Sequence, residues 1–171
     1  MIFTFEKMRL THALDIIAWE YPPPYEAYNL QGSALALAKL TEGSYVSVFW
    51  EGKLAGFFCY GSAARLKTTL DHKLYDDENY LDVGLGLRPR FCGRGWGAKF
   101  VTAGLKHAQD LFWQGGFRLT VAANNVRALK VYEKVGFQKT GQFFWNSRLA
   151  PNFIVLTLEN HGLAEQGSPF D

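Results

Sequence analysis

Little in this chain could staple a small secreted fold or build a metal centre. Of its 171 residues two are cysteine, Cys59 and Cys92, and four are histidine. Two thiols without metal-ligand spacing exclude a disulfide-dense scaffold and a zinc module, so reduced thiols, a cytoplasmic location and no metal are expected. Excess charge is scarce too: 18 Lys and Arg against 16 Asp and Glu leave +2, and no basic stripe stands out. Nucleic acid is therefore not an expected partner. No apolar run approaches membrane length, and Met1-Ile-Phe-Thr-Phe-Glu-Lys7 carries charge too early for a secretory core. What is plentiful is apolar and aromatic side chain, 48% and 16% of residues. That composition fits one globular domain over residues 1–160, with a polar tail at 161–171.

Three of the six prolines fall together at Pro22-Pro23-Pro24. They end a short helix that Thr11 could cap, with Leu14, Ile17 and Ala18 on its apolar face. Ile2, Phe3 and Phe5 precede it as a strand. Ser33 caps a second helix to about Leu40, with Gly43 as its stop. Tyr45–Trp50 and Leu54–Tyr60 read as a hairpin around Glu51-Gly52. Residues 62–79 read as loop, and Tyr80–Leu87 as the central strand. A helix follows from Ala98 through Val101, Leu105, Ala108 and Phe112. Phe117–Ala122 is a strand, a helix starts at Asn124, Gly136 caps it, Phe137 opens a strand, and Asn152–Leu158 is the last strand. The order is β-α-α-β-β-β-α-β-α-β-β.

The densest signal is Leu81-Asp-Val-Gly-Leu-Gly-Leu-Arg-Pro-Arg-Phe-Cys-Gly-Arg-Gly-Trp-Gly97. A strand runs into glycines at alternate positions and then into a helix. Glycines let backbone amides approach a ligand, and a helix start adds unpaired N–H groups, so the arrangement suits phosphate. The alternative is a structural turn with close helix packing. No Gly-Lys-Ser/Thr follows, which excludes a P-loop. No suitably placed acidic residue follows either, which disfavours a dinucleotide fingerprint. A second block, Leu119–Phe137, has the pattern Asn125-x-x-Ala128-x-x-x-Tyr132-x-x-x-Gly136-Phe137.

The two blocks, in this order and separated by one helix, resemble the GNAT superfamily of N-acetyltransferases. Trp19-Glu-Tyr-Pro-Pro-Pro-Tyr-Glu-Ala-Tyr-Asn29 also looks like the first helical region of its ribosomal-protein alanine acetyltransferase-like branch. The resemblance implies a mixed α/β fold of α+β character. Its sheet would be mostly antiparallel with about seven strands, splayed between the fourth and fifth and flanked by helices. It implies acetyl-CoA as co-substrate and transfer of its acetyl group to a primary amine, on a small molecule or a protein N-terminus. A non-catalytic acetyl-CoA-binding regulatory domain is the alternative, and a homodimer is left open.

The pyrophosphate would lie on the amides of Cys92, Gly93, Arg94, Gly95, Trp96 and Gly97, with Arg94 adding charge. With Gly95 and Gly97 as the two required glycines, Cys92 stands where the family usually has Gln or Arg; the alternative register, Arg90-x-x-Gly93-x-Gly95, restores the Arg. The coenzyme arm would pair with Leu85, Gly86 and Leu87, for which a plain strand kink at the glycines is the alternative. Asn125 would hydrogen-bond the arm or merely cap its helix, and Ala128 would let the arm pass or simply fill the core. Tyr132 would protonate the leaving thiolate, or else be a core aromatic. Asp82, ahead of Glu51 and Glu78, is the candidate base, or else a strand-edge or substrate-anchoring carboxylate. Trp19, Tyr21, Tyr25 and Tyr28 would line the acceptor pocket or pack as core.

Overall fold

The computed structural model describes residues 2–66, 72–145 and 152–160. Its strands are β1 (Phe3–Lys7), β2 (Tyr45–Trp50), β3 (Lys53–Tyr60), β4 (Tyr80–Leu87), β5 (Gly116–Ala122), β6 (Gln138–Phe144) and β7 (Asn152–Leu158). Its helices are α1 (Leu10–Ile17), α2 (Ala34–Thr41), α3 (Gly97–Leu111) and α4 (Val126–Val135). The expected element order holds. One seven-stranded sheet forms in the order β1-β2-β3-β4-β5-β7-β6. Every neighbouring pair is antiparallel except β4 and β5, which are parallel. The crossover through α3 explains that exception, since parallel neighbours need a long connection.

Local chemistry sets most boundaries. Ser33 Oγ accepts from the N–H of Ala36 at 3.3 Å and starts α2. Glu51 and Gly52 both take left-handed φ, 47° and 71°, which closes the β2–β3 hairpin in two residues. Gly136, at φ 109°, ends α4 by donating to the carbonyls of Tyr132 and Glu133. Thr11 does not cap α1: the helix begins at Leu10, and Arg9 occupies the cap position without a side-chain bond. The helix expected from Asn124 starts after Asn125, and the loop at 62–79 holds 3-10 turns at Gly61–Ala64 and His72–Tyr75. The expected tail at 161–171 lies outside the described residues.

Two cores flank the sheet. Met8, Ala13, Ile16, Ile17, Trp19, Leu40 and Leu54 form one, around α1 and α2. The larger joins Phe58, Phe100, Val101, Leu105 and Phe117 to residues of α4 and β7. Gly104 lets α3 lie close here, because a Cβ would meet the Phe58 ring at 2.2 Å.

Burial pushes the Tyr45 and Tyr60 phenols above their ordinary value and the Cys59 thiol to about 11. The unfolded chain would lose these phenol protons from about pH 10. Stability that depends on holding them is fully present below that value and declines as pH rises through the folded values. Denaturant melts should therefore keep a constant midpoint from about pH 7 to 8, with the loss steepening above about pH 10. A midpoint unchanged at pH 11 would contradict this.

Candidate active site

Strands β4 and β5 pair only at Tyr80↔Gly116, Leu81↔Phe117 and Asp82↔Arg118. Beyond Asp82 they part, and a cleft of about 540 Å³ opens between them. On the far side β4 stays paired with β3 as far as Leu87. The Arg88 N–H donates to the Ala55 carbonyl at 2.8 Å. By the two-residue alternation of a strand, Gly84 and Gly86 then aim their backbone groups at β3, while Leu85 and Leu87 aim theirs into the parting. The Leu87 carbonyl accepts there from the Tyr21 hydroxyl at 3.0 Å. The N–H and C=O of Gly86 are thus turned away from a coenzyme arm, although the residue lines the cleft. A Cβ on Gly86 would lie 2.4 Å from the Phe57 ring, so the neighbouring side chain is sufficient reason for glycine.

The glycine turn closes one end of the cleft. Gly93 and Gly95 have φ of 73° and 76° with open space around them, so the backbone conformation requires glycine. Gly97 differs: a Cβ there would meet Val131 at 2.6 Å, so its absence lets α3 and α4 touch. No side chain caps α3, whose first N–H groups are left for a ligand. The Cys92 thiol donates to the Leu87 and Arg88 carbonyls at 3.5 and 3.7 Å, and burial pushes its pKa up. It stays protonated at neutral pH, which does not suit a nucleophile. Arg94 is exposed and outside the cleft lining, and Trp96 stacks on Phe91 with centroids 4.5 Å apart. Neither side chain faces the cleft.

Helix α4 supplies the opposite wall. Asn125 Oδ1 accepts from the Ala128 N–H at 3.1 Å, and its Nδ2 donates to the Tyr28 hydroxyl at 2.9 Å. Ala128 lines the cleft, as does Tyr132, whose residue is 8% exposed. Burial first, then the nearby Tyr28, pushes the Tyr132 phenol above its usual value. Its hydroxyl makes no hydrogen bond among the described residues.

A strand pair parted beside an uncapped helix start and a lone buried phenol is the geometry that the two sequence blocks imply. Residues 11–137 match the model of the acetyltransferase (GNAT) family. The chain belongs to this family. It is 28% identical over 102 residues to a spermine/spermidine N(1)-acetyltransferase of Bacillus subtilis (strain 168), a match covering 59% of this chain and 63% of that protein. The aligned part is thus under two thirds of the relative's length. An aminoglycoside acetyltransferase solved with coenzyme A superposes with a TM-score of 0.75 at 14% identity, over 98% of this chain and 100% of that one. The ribosomal-protein-S5-alanine acetyltransferase of Vibrio fischeri gives 0.59 at 17% identity, over 93% of each chain. These likenesses are of GNAT fold, and they do not single out the ribosomal-protein branch.

Within this GNAT cleft the expected residues have separate fates. Tyr21 and Tyr28 line it, whereas Tyr25 lies under the Arg127 guanidinium, 4.0 Å from its ring centroid. Trp19 is in the α1 core, with its indole N–H donating to Asp15 at 3.2 Å. Asp82 is outside the lining. Its carboxylate accepts from Arg118 Nε and Nη2 at 2.6 and 2.9 Å and from Arg65 Nε at 2.7 Å. Those three bonds hold both oxygens in a buried ion pair outside the lining, a geometry that fits the anchor reading better than the base. No Asp, Glu or His lines the cleft among the described residues, which leaves Glu51 and Glu78 outside it too. The sequence reading missed Arg127, Lys130 and Lys134, which form a basic lip. Their spacing of three and four residues along α4 was the available signal.

Proposed function

We infer that this chain transfers the acetyl group of acetyl-CoA to a primary amine by direct attack in a ternary complex. One observation carries the reading: the parted strands, the uncapped start of α3 and the unbonded Tyr132 hydroxyl all open into the same cleft. The amides of Gly93 to Gly97 would hold the pyrophosphate, and the basic lip would add charge. Leu85 and Leu87 would hold the arm as a strand edge holds a peptide. Acetyl-CoA supplies an activated acyl group. The Leu85 N–H would stabilise negative charge on its carbonyl oxygen, and Tyr132 would give its proton to the departing thiolate.

The acceptor must arrive neutral. At pH 7 an α-amine of pKa about 8 needs roughly 1 kcal/mol to lose its proton, and an alkylamine of about 10.4 needs on the order of 4.6 kcal/mol. With no carboxylate lining the cleft among the described residues, water or bulk base would take that proton. Turnover of an alkylamine should accordingly rise with pH from 7 toward 9. Polyamines and aminoglycosides, the substrates named for the relatives, are the first acceptors to test, with peptide N-termini beside them.

Calorimetric titration with acetyl-CoA, followed by thiol release across such an amine panel, tests the reading. Binding and release with at least one amine are expected. Absence of binding at millimolar acetyl-CoA would overturn it, and binding without release for any amine would leave a regulatory coenzyme-binding domain.

A further inference from the structure

The carboxamide of Asn125 has a donor end and an acceptor end, and the fold fixes which is which. Its cap partner, the Ala128 N–H at 3.1 Å, can only donate, so the amide oxygen faces it. The amide nitrogen turns the other way and donates to the Tyr28 oxygen at 2.9 Å. A phenol that accepts this bond keeps its own proton to give. Tyr28 lines the cleft, and no acceptor takes that proton among the described residues.

Sheet register places the proton in depth. The β4–β5 parting is closed at Asp82↔Arg118 and open toward Ala122, just before Asn125. Gln138, just past α4, pairs with Thr157, and Thr157 pairs with Arg118. Helix α4 therefore runs from the mouth back toward the closed end. Asn125 and the Tyr28 hydroxyl sit at the mouth, while the Tyr132 Cα lies about 10 Å further along the helix axis, its side chain leaning back toward the mouth.

Resting on the acetyl-CoA reading above, the geometry points to Tyr28 as a hydrogen-bond donor to an amide carbonyl of the coenzyme arm, with Asn125 acting through it. The arm's amide carbonyls are neutral acceptors and match a hydroxyl proton. A cationic amine offers only donors, and the lone pair of a neutral one must face the acetyl carbonyl, so neither matches it. The thioester belongs beside Tyr132, and Tyr28, a neighbour of that phenol, meets the arm next to it. Tyr28 thus moves from the acceptor pocket to the coenzyme site.

The test compares dissociation constants for coenzyme A and for adenosine 3′,5′-bisphosphate, which has phosphates but no arm. Coenzyme A has no acetyl group, so an effect on it that the bisphosphate does not share locates the contact in the arm. Tyr28→Phe should weaken coenzyme A by about tenfold and leave the bisphosphate unchanged. Asn125→Asp keeps a helix cap and a bond to Tyr28, but reverses that bond so the phenol proton points away from the cleft. It should lower the coenzyme A to bisphosphate affinity ratio by a similar factor, with no further loss in the double variant. An unchanged ratio in Asn125→Asp would overturn the proposal, as would equal loss of both ligands in Tyr28→Phe or no loss of either. If the unaltered protein binds neither ligand, the coenzyme reading itself fails, and that result is distinct from the others.

Discussion

Tyr132→Phe is expected to lower kcat by about two orders of magnitude, the lower end of what a positioned acid contributes, with acetyl-CoA affinity nearly unchanged. The ring can stay where it is, packed edge-on to Phe137 at 6.0 Å between centroids, so the substitution removes one oxygen and little else. That oxygen faces the cleft without a partner, and burial holds its proton to well above neutral pH. Loss of that proton should therefore add no alkaline limb to the kcat profile between pH 7 and about 9.5. Steady-state kinetics with a responsive amine would measure both effects. Turnover equal to the unaltered enzyme would remove Tyr132 from the acid role and return it to the core, where it also packs.

The largest loss of stability is expected from Arg118→Met. Asp82 and Arg118 have side chains 3% exposed, and they face each other across the last rung before the strands part. Removing one partner leaves a buried charge, a loss of about 3–5 kcal/mol in comparable pairs. Arg65 is 40% exposed and can compensate only in part. Replacing both partners, as Asp82→Leu with Arg118→Met, should recover most of the loss, because well-packed apolar groups can match a buried ion pair. Chemical denaturation of the two single variants and the double variant measures the coupling. The set also separates the two readings of Asp82. An anchor variant, Asp82→Asn, melts earlier but keeps the pH profile of kcat/KM. A base variant would lose its acid limb without early melting.

Element order was legible because each element carries its own local pattern. Tyr80–Leu87 and Asn152–Leu158 are dense apolar runs between polar or turn-forming neighbours, and both are strands over those residues. Ser33 and Gly136 have the chemistry of their cap positions. The start of α1 was not legible, because Arg9 contributes no side-chain bond there, while Thr11 has the right chemistry two positions too late. The site divides along the same line. The parting between β4 and β5 was expected from family resemblance, and the register carries it. Asp82 looked well placed because it lies on the central strand. Strand position alone does not tell the closed end of a parting from the open one, and only the pairing with Arg118 does. Trp19, Tyr21, Tyr25 and Tyr28 looked equivalent as aromatics, yet the tertiary fold sends them to a core, a strand carbonyl, a guanidinium and an amide. The basic lip was hidden for a similar reason. Lysines on a surface helix read as a solvated face until the opposite wall is known.

The missing side chain at Gly97 has a mechanical consequence. The sheet is two plates, β1–β4 and β5–β7, hinged by three residue pairs. Near the free edge the only spacer between α3 and α4 at Val131 is a hydrogen atom. Any methyl there would act as a shim between Gly97 and Val131, both of which line the slot, and would tilt one plate against the other and so change its width.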